Sequence, residues 1–78
     1  MDIKVLGTGC TKCKNLEKAT REAVAELGVE ATVTKVEDML KIMEFGVMTT
    51  PALVVDGKVV SKGTLLKVDE IKKLLTQQ

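Results

Sequence analysis

The chain has 78 residues and a formal net charge of +1, from 12 Lys or Arg and 11 Asp or Glu residues. This length predicts one domain over residues 1–78 with a small core, and the balanced charge and single aromatic residue argue against nucleic-acid binding. The sequence shows no long apolar run, signal peptide or framework of many cysteines, which argues against a membrane protein and favours the cytoplasm.

The first half of the chain predicts a strand, a helix and a second strand. The apolar run at 3–6 is typical of a buried strand, and an apolar repeat from Lys14 to Leu27 predicts a helix. Gly28 is suited to end that helix. The β-branched residues within 29–36 predict the second strand. Because strand–helix–strand connections return to the same sheet, the two strands are expected to form a parallel pair.

The second half predicts a short helix, a hairpin and a last helix. Acidic residues at 37–38 open the short helix. Asp56-Gly57 is a type I′ turn signal between an apolar strand at 52–55 and a returning strand at 58–61. The apolar positions of the last helix are Val68, Ile71, Leu74 and Leu75. The resulting order, β-α-β-α-β-β-α, predicts an α/β fold: a mixed sheet of about four strands covered by three helices.

The only two cysteines, Cys10 and Cys13, lie at the junction between the first strand and the first helix. There the first sulfur meets the free N–H groups and the positive end of the helix dipole, which favour a thiolate. The second sulfur lies one turn further on, close enough to attack a mixed disulfide formed at the first. This is the geometry of thiol–disulfide exchange.

The element order, Cys10-x-x-Cys13 and the Thr50-Pro51 pair before the hairpin together resemble the thioredoxin/glutaredoxin fold, and in particular its small redox-active disulfide proteins. The resemblance covers nearly the whole chain. It implies that Cys10 is the nucleophile, that Cys13 is the resolving thiol, and that a cis proline at Pro51 follows a residue, Thr50, whose backbone is offered to the substrate. It also implies a disulfide-containing protein substrate and an upstream thiol reductase; we further expect a monomer without a cofactor or a metal.

The residues between the two cysteines, Thr11 and Lys12, depart from the family's common pairs, which are Gly-Pro in thioredoxins and Pro-Tyr in glutaredoxins. We expect both residues to lie beside the bound substrate, and Lys12 to be a candidate for stabilising the thiolate. The chain also lacks a tyrosine and the Gly-Gly-x-Asp stretch of glutaredoxins, which argues against glutathione binding. The nature of the reductant stays open on these residues.

A metal-binding module is the main alternative, because the motif and the following Glu17-Lys18-Ala19 also resemble a heavy-metal-associated domain of the copper-chaperone type. Two thiolates suit Cu(I). However, Thr8 replaces the methionine of that motif, the chain ends on a predicted helix, and the proline at 51 has no role in that fold. The chain also has no histidine or further cysteine to complete a zinc site.

Three methionines follow in the second half of the chain. At helical spacing, Met39 and Met43 are interpreted as core residues of the short helix, together with Leu40. Met48 lies near Thr50 in sequence and is interpreted as a core residue, with a place in the substrate groove as the alternative.

Overall fold

The computed structural model describes residues 1–76 of the chain, and those residues form four strands and three helices. In order they are β1 (Asp2–Leu6), α1 (Thr11–Leu27), β2 (Thr32–Val36), α2 (Met39–Glu44), β3 (Ala52–Val55), β4 (Lys58–Lys62) and α3 (Val68–Thr76). The predicted α/β class and element order are confirmed. The predicted domain, 1–78, includes residues 77–78, which lie outside the described residues.

The four strands form one mixed sheet in the order β2-β1-β3-β4. β1 and β2 are parallel, as the crossover through α1 predicts, while β3 runs antiparallel to both β1 and β4. Leu6, the last residue of β1, is paired with Ala52, the first residue of β3. The segment that follows β1 and the segment that precedes β3 therefore meet at the same edge of the sheet.

Helices cover both faces of the sheet because side chains alternate along β1. Ile3 and Val5 pack in a cluster with Leu16 of α1 and Ile71 of α3. Leu6 belongs to a second cluster, on the opposite face, that includes Ile42 of α2. Within residues 1–76, none of the helices is long and apolar enough to cross a membrane.

Two element boundaries differ from the predicted ones by three residues, whereas β1 and β4 each extend one residue beyond their predicted ranges. α1 begins at Thr11 rather than Lys14, because Cys10 takes the N-cap position. β2 begins at Thr32 rather than at residue 29, because its first ladder partner is Asp2, at the start of β1. The type I′ turn is confirmed by positive φ angles at Asp56 (50°) and Gly57 (82°).

The prediction that Met39, Leu40, Met43 and Met48 lie in the core of the protein is wrong. Met39 is 55%, Leu40 73%, Met43 57% and Met48 93% exposed, whereas Ile42 is buried. A six-residue helix makes less than two turns, so few of its side chains can reach the sheet. Ile42 takes that position, and the methionines are left on the surface.

Candidate active site

Cys10 begins α1 and caps it. Its backbone is extended, with φ −67° and ψ 165°, and its sulfur accepts a hydrogen bond from the backbone N–H of Cys13 over 3.1 Å. The Cys10 carbonyl accepts the first intrahelical hydrogen bond, from the N–H of Lys14. The sulfur thus occupies the place where Ser or Asp commonly satisfies a helix N-terminus, and the N–H that reaches it stabilises negative charge on sulfur in the reduced form.

The two cysteines are joined in a disulfide, with their Cα atoms 5.0 Å apart. Their surroundings differ: Cys10 is exposed, while Cys13 is 2% exposed. A partner in solution therefore reaches the first cysteine and not the second. This asymmetry suits a pair in which one thiol meets the substrate and the other completes the reaction from within the protein.

Gly7, between β1 and the cysteine motif, has a role that sequence reasoning missed, because it was treated only as part of a turn. A Cβ atom added to this buried glycine would lie 2.7 Å from Cys13 Cβ and closer still to Cys13 Sγ. The backbone at Gly7 is also fixed, since its N–H donates to the Val36 carbonyl over 2.9 Å. Only a residue without a side chain leaves room for Cys13 at this point.

The Thr50–Pro51 peptide bond is cis, as the family resemblance implied. Pro51 is buried, Thr50 is half-buried, and the Pro51 carbonyl accepts a hydrogen bond from Gly63 N–H over 2.8 Å. Pro51 directly precedes β3, so the antiparallel pairing of β1 and β3 brings this segment to the edge where the cysteine motif begins. Thr50 and Thr8 line the same cavity.

Thr11 and Lys12 form the start of α1 and are both exposed. The first turn of this helix contains no acidic residue, so no carboxylate there opposes negative charge on Cys10. The carboxylate of Glu37 lies near the residue before Cys10: its Oε2 atom is 3.2 Å from the position of a Cβ on Gly9. It pairs with Lys35 over 3.7 Å, a half-exposed contact of small energetic weight.

A cavity of about 210 Å³ lies next to the cysteine motif. Its lining, besides the two threonines, consists of the buried side chains of Ile42 and Val47 and three exposed methionines, Met39, Met43 and Met48. The alternative that placed Met48 in a groove near Thr50 matches this position; its interpretation as a core residue is wrong. Among residues 1–76 there is no group of three or more His, Cys, Asp or Glu side chains placed to hold a metal ion.

Comparison with known proteins decides between the two families that the motif resembles. Residues 1–76 match the family described as a thioredoxin domain. This chain belongs to the thioredoxin family. A thioredoxin of Methanothermobacter thermautotrophicus is 45% identical over 76 residues, covering 97% of this chain and 99% of the relative. A thioredoxin of Methanocaldococcus jannaschii is 40% identical over 73 residues, covering 94% of this chain and 84% of the relative.

The family and the Cys10–Cys13 pair identify this thioredoxin-family protein as a thiol–disulfide oxidoreductase. In general terms, such a protein acts on disulfide-containing substrates and is returned to its dithiol form by a reductase. The metal-carrier alternative is not better supported, since the family match extends through α3 and includes the cis proline segment.

Proposed function

We propose that this protein reduces the disulfides of protein substrates, with Cys10 as the nucleophile and Cys13 as the resolving thiol. The observation that carries the proposal is the contrast between an exposed Cys10 at a helix N-terminus and a Cys13 that is 2% exposed one turn further on. An exposed sulfur stabilised as a thiolate is the one that can attack a disulfide in another molecule.

The reaction then has two exchange steps. The Cys10 thiolate attacks one sulfur of the substrate disulfide, so that a Cys10–substrate S–S bond forms, the substrate S–S bond breaks, and the departing sulfur takes up a proton. Cys13 next loses its proton and attacks Cys10 Sγ, forming the internal disulfide and releasing the second substrate sulfur, which is protonated. Two electrons pass to the substrate, and an upstream thiol reductase supplies two electrons and two protons to restore the dithiol.

Four further residues are proposed to hold the substrate. Thr50 and Pro51 lie directly before β3, next to the cysteine motif, and backbone groups of Thr50 left free there can pair with an extended peptide. Thr11 and Lys12 support the same role, since both are exposed at the start of α1 beside Cys10. In this arrangement the substrate lies between the first turn of α1 and the segment before β3.

We also propose that the chain works as a single domain over residues 1–78, as a monomer in the cytoplasm and without a cofactor. The family match over residues 1–76 and a relative that aligns over 99% of its own length support a single thioredoxin-like domain. The presence of just two cysteines, both in the redox motif, supports a protein that works as a dithiol in a reducing compartment.

Two serine variants test the assignment of the two thiols. Cys10→Ser is expected to abolish reduction of a protein disulfide, because no exposed thiol remains. Cys13→Ser is expected to accumulate a covalent mixed disulfide with the substrate, because the second step is blocked. The complexes would be resolved by non-reducing electrophoresis and intact-mass measurement. A Cys10→Ser variant that reduces the substrate at the parent rate, or a mixed disulfide that forms through Cys13, would contradict the proposal.

A further inference from the structure

The exposed apolar surface of residues 1–76 is concentrated beside the active site. Of the seven large hydrophobic residues that are exposed within residues 1–76, four lie within residues 39–48: Met39, Leu40, Met43 and Met48. The three methionines line the cavity that also contains Thr8 and Thr50. We call Met39, Met43 and Met48 the methionine surface. Exposed apolar side chains gathered in one place, rather than scattered, indicate a binding site.

We propose that the methionine surface selects among protein disulfide substrates by binding an apolar side chain that neighbours the substrate cysteine. This inference rests on the proposed function of Cys10 and names the class of substrate that suits the same site. The occupant is an uncharged, apolar segment of the polypeptide whose disulfide is being reduced.

The position of the surface supports this occupant. Thr8 lies two residues before Cys10, and Thr50 directly precedes the cis proline, so the cavity is lined by residues from the two segments that meet next to the cysteine motif. Neighbouring residues of an extended peptide are at most about 3.6 Å apart along the chain. In the proposed arrangement, the side chains next to the substrate cysteine lie against the methionine surface when the substrate sulfur meets Cys10.

The chemistry of the surface supports an apolar rather than a charged occupant. None of the residues that line this cavity is charged, whereas the charged residues of α2, Lys41 and Glu44, line a different cavity, which includes Lys4 and Phe45. An anionic disulfide such as oxidised glutathione meets no cation on the methionine surface. An aliphatic side chain gains by leaving water there, and flexible thioether side chains adapt to more than one aliphatic shape.

The test compares two synthetic peptide disulfides that differ only in the residues flanking the cysteine, Leu in one and Ser in the other, with oxidised glutathione as a third substrate. We expect the parent protein to reduce the Leu peptide with a kcat/KM roughly tenfold above that of the Ser peptide, the size expected when a large aliphatic side chain is largely buried. In a triple variant, M39Q/M43Q/M48Q, we expect this preference to fall to about twofold or less, mainly through a higher KM.

Two control variants separate selection from a general loss of folding or activity. The triple variant M39L/M43L/M48L keeps the surface apolar and is expected to retain the preference for the Leu peptide. Val29→Gln makes a similar change from apolar to polar at a residue that is 36% exposed. Val29 follows the C-terminal end of the 17-residue helix α1, about 25 Å along that helix from Cys10, and the variant is expected to behave as the parent does.

The outcomes distinguish this inference from the function on which it rests. If the glutamine variant retains the full preference for the Leu peptide, or slows all three substrates equally, the methionine surface does not select substrates, although the oxidoreductase assignment stands. If the parent protein reduces the two peptides equally, the inference also fails. If the parent reduces none of the three disulfides, the proposed function fails and the inference fails with it.

Discussion

Replacement of Gly7 by alanine is expected to destabilise the protein and to make its disulfide easier to reduce. The added Cβ would lie 2.7 Å from Cys13 Cβ, about 1 Å inside the usual separation of non-bonded carbon atoms. The strand end cannot easily move away, because Leu6 is paired in the sheet and Gly7 N–H donates to the Val36 carbonyl. Overpacking of this kind costs about 1–3 kcal/mol.

The cost is expected to differ between the two redox states. In the disulfide form the Cys13 sulfur is bonded to Cys10 and cannot turn away from the new methyl group, whereas in the dithiol form Cys13 is free to change its rotamer. If reduction relieves about 1 kcal/mol of the overlap, the midpoint potential rises by about 20 mV, since about 30 mV corresponds to 1.4 kcal/mol for two electrons.

Two measurements on the Gly7→Ala variant test this reasoning: denaturant unfolding of the oxidised protein, and titration of the thiols in graded dithiol buffers. Gly28→Ala is the matched control. Gly28 has a φ of 66° and nothing within 4 Å of an added Cβ, so its replacement loses about 1–2 kcal/mol from backbone conformation alone and leaves the potential unchanged. If Gly7→Ala has the stability and the midpoint potential of the parent, the steric argument is refuted. If the midpoint potential shifts equally in Gly7→Ala and Gly28→Ala, the link between the potential and Cys13 is refuted.

Two further predictions concern the redox function and the fold. In the same titration, the parent protein is expected to show one reversible two-electron transition near −270 mV, roughly the value for thioredoxin, whereas a midpoint near about −120 mV would contradict its role as a reductase. Asp38→Ala removes the side-chain acceptor of Leu40 N–H at the start of α2 and is expected to lower the free energy of unfolding by about 1 kcal/mol. Asp38→Asn retains an acceptor and serves as its control. Equal losses of unfolding free energy in the two variants would show that the hydrogen bond to Leu40 N–H is not the source of the loss.

The features that sequence reasoning predicted correctly are those encoded over short stretches of chain. Asp56-Gly57 specifies its turn through two positive φ angles. Cys10 and Cys13 lie where the end of one predicted strand meets the start of a helix, so their local geometry follows from that junction alone. The parallel pairing of β1 and β2 follows from the single helix between them.

The features that it missed depend on contacts between distant parts of the chain. The need for glycine at position 7 appears only when α1 is docked so that Cys13 faces the end of β1. The cis bond at Pro51 came from the family resemblance, because a proline at the start of a strand is compatible with either isomer. The late start of β2, at Thr32, was not predicted because β-branched composition does not reveal where its partner strand begins.

The exposed methionines were misplaced for a different reason, and that reason bears on function. Ile42 and Met43 differ by about 100° around the axis of α2, and over six residues the apolar pattern does not decide which of them faces the sheet. Sheet contacts buried Ile42 and left Met43, Met39 and Leu40 in solvent. A small domain gains stability by burying such side chains, so their exposure sacrifices part of that gain. The three methionines line the cavity that also contains Thr8 and Thr50, so a substrate that covers them recovers part of that stabilisation, which favours a role in binding over one in folding.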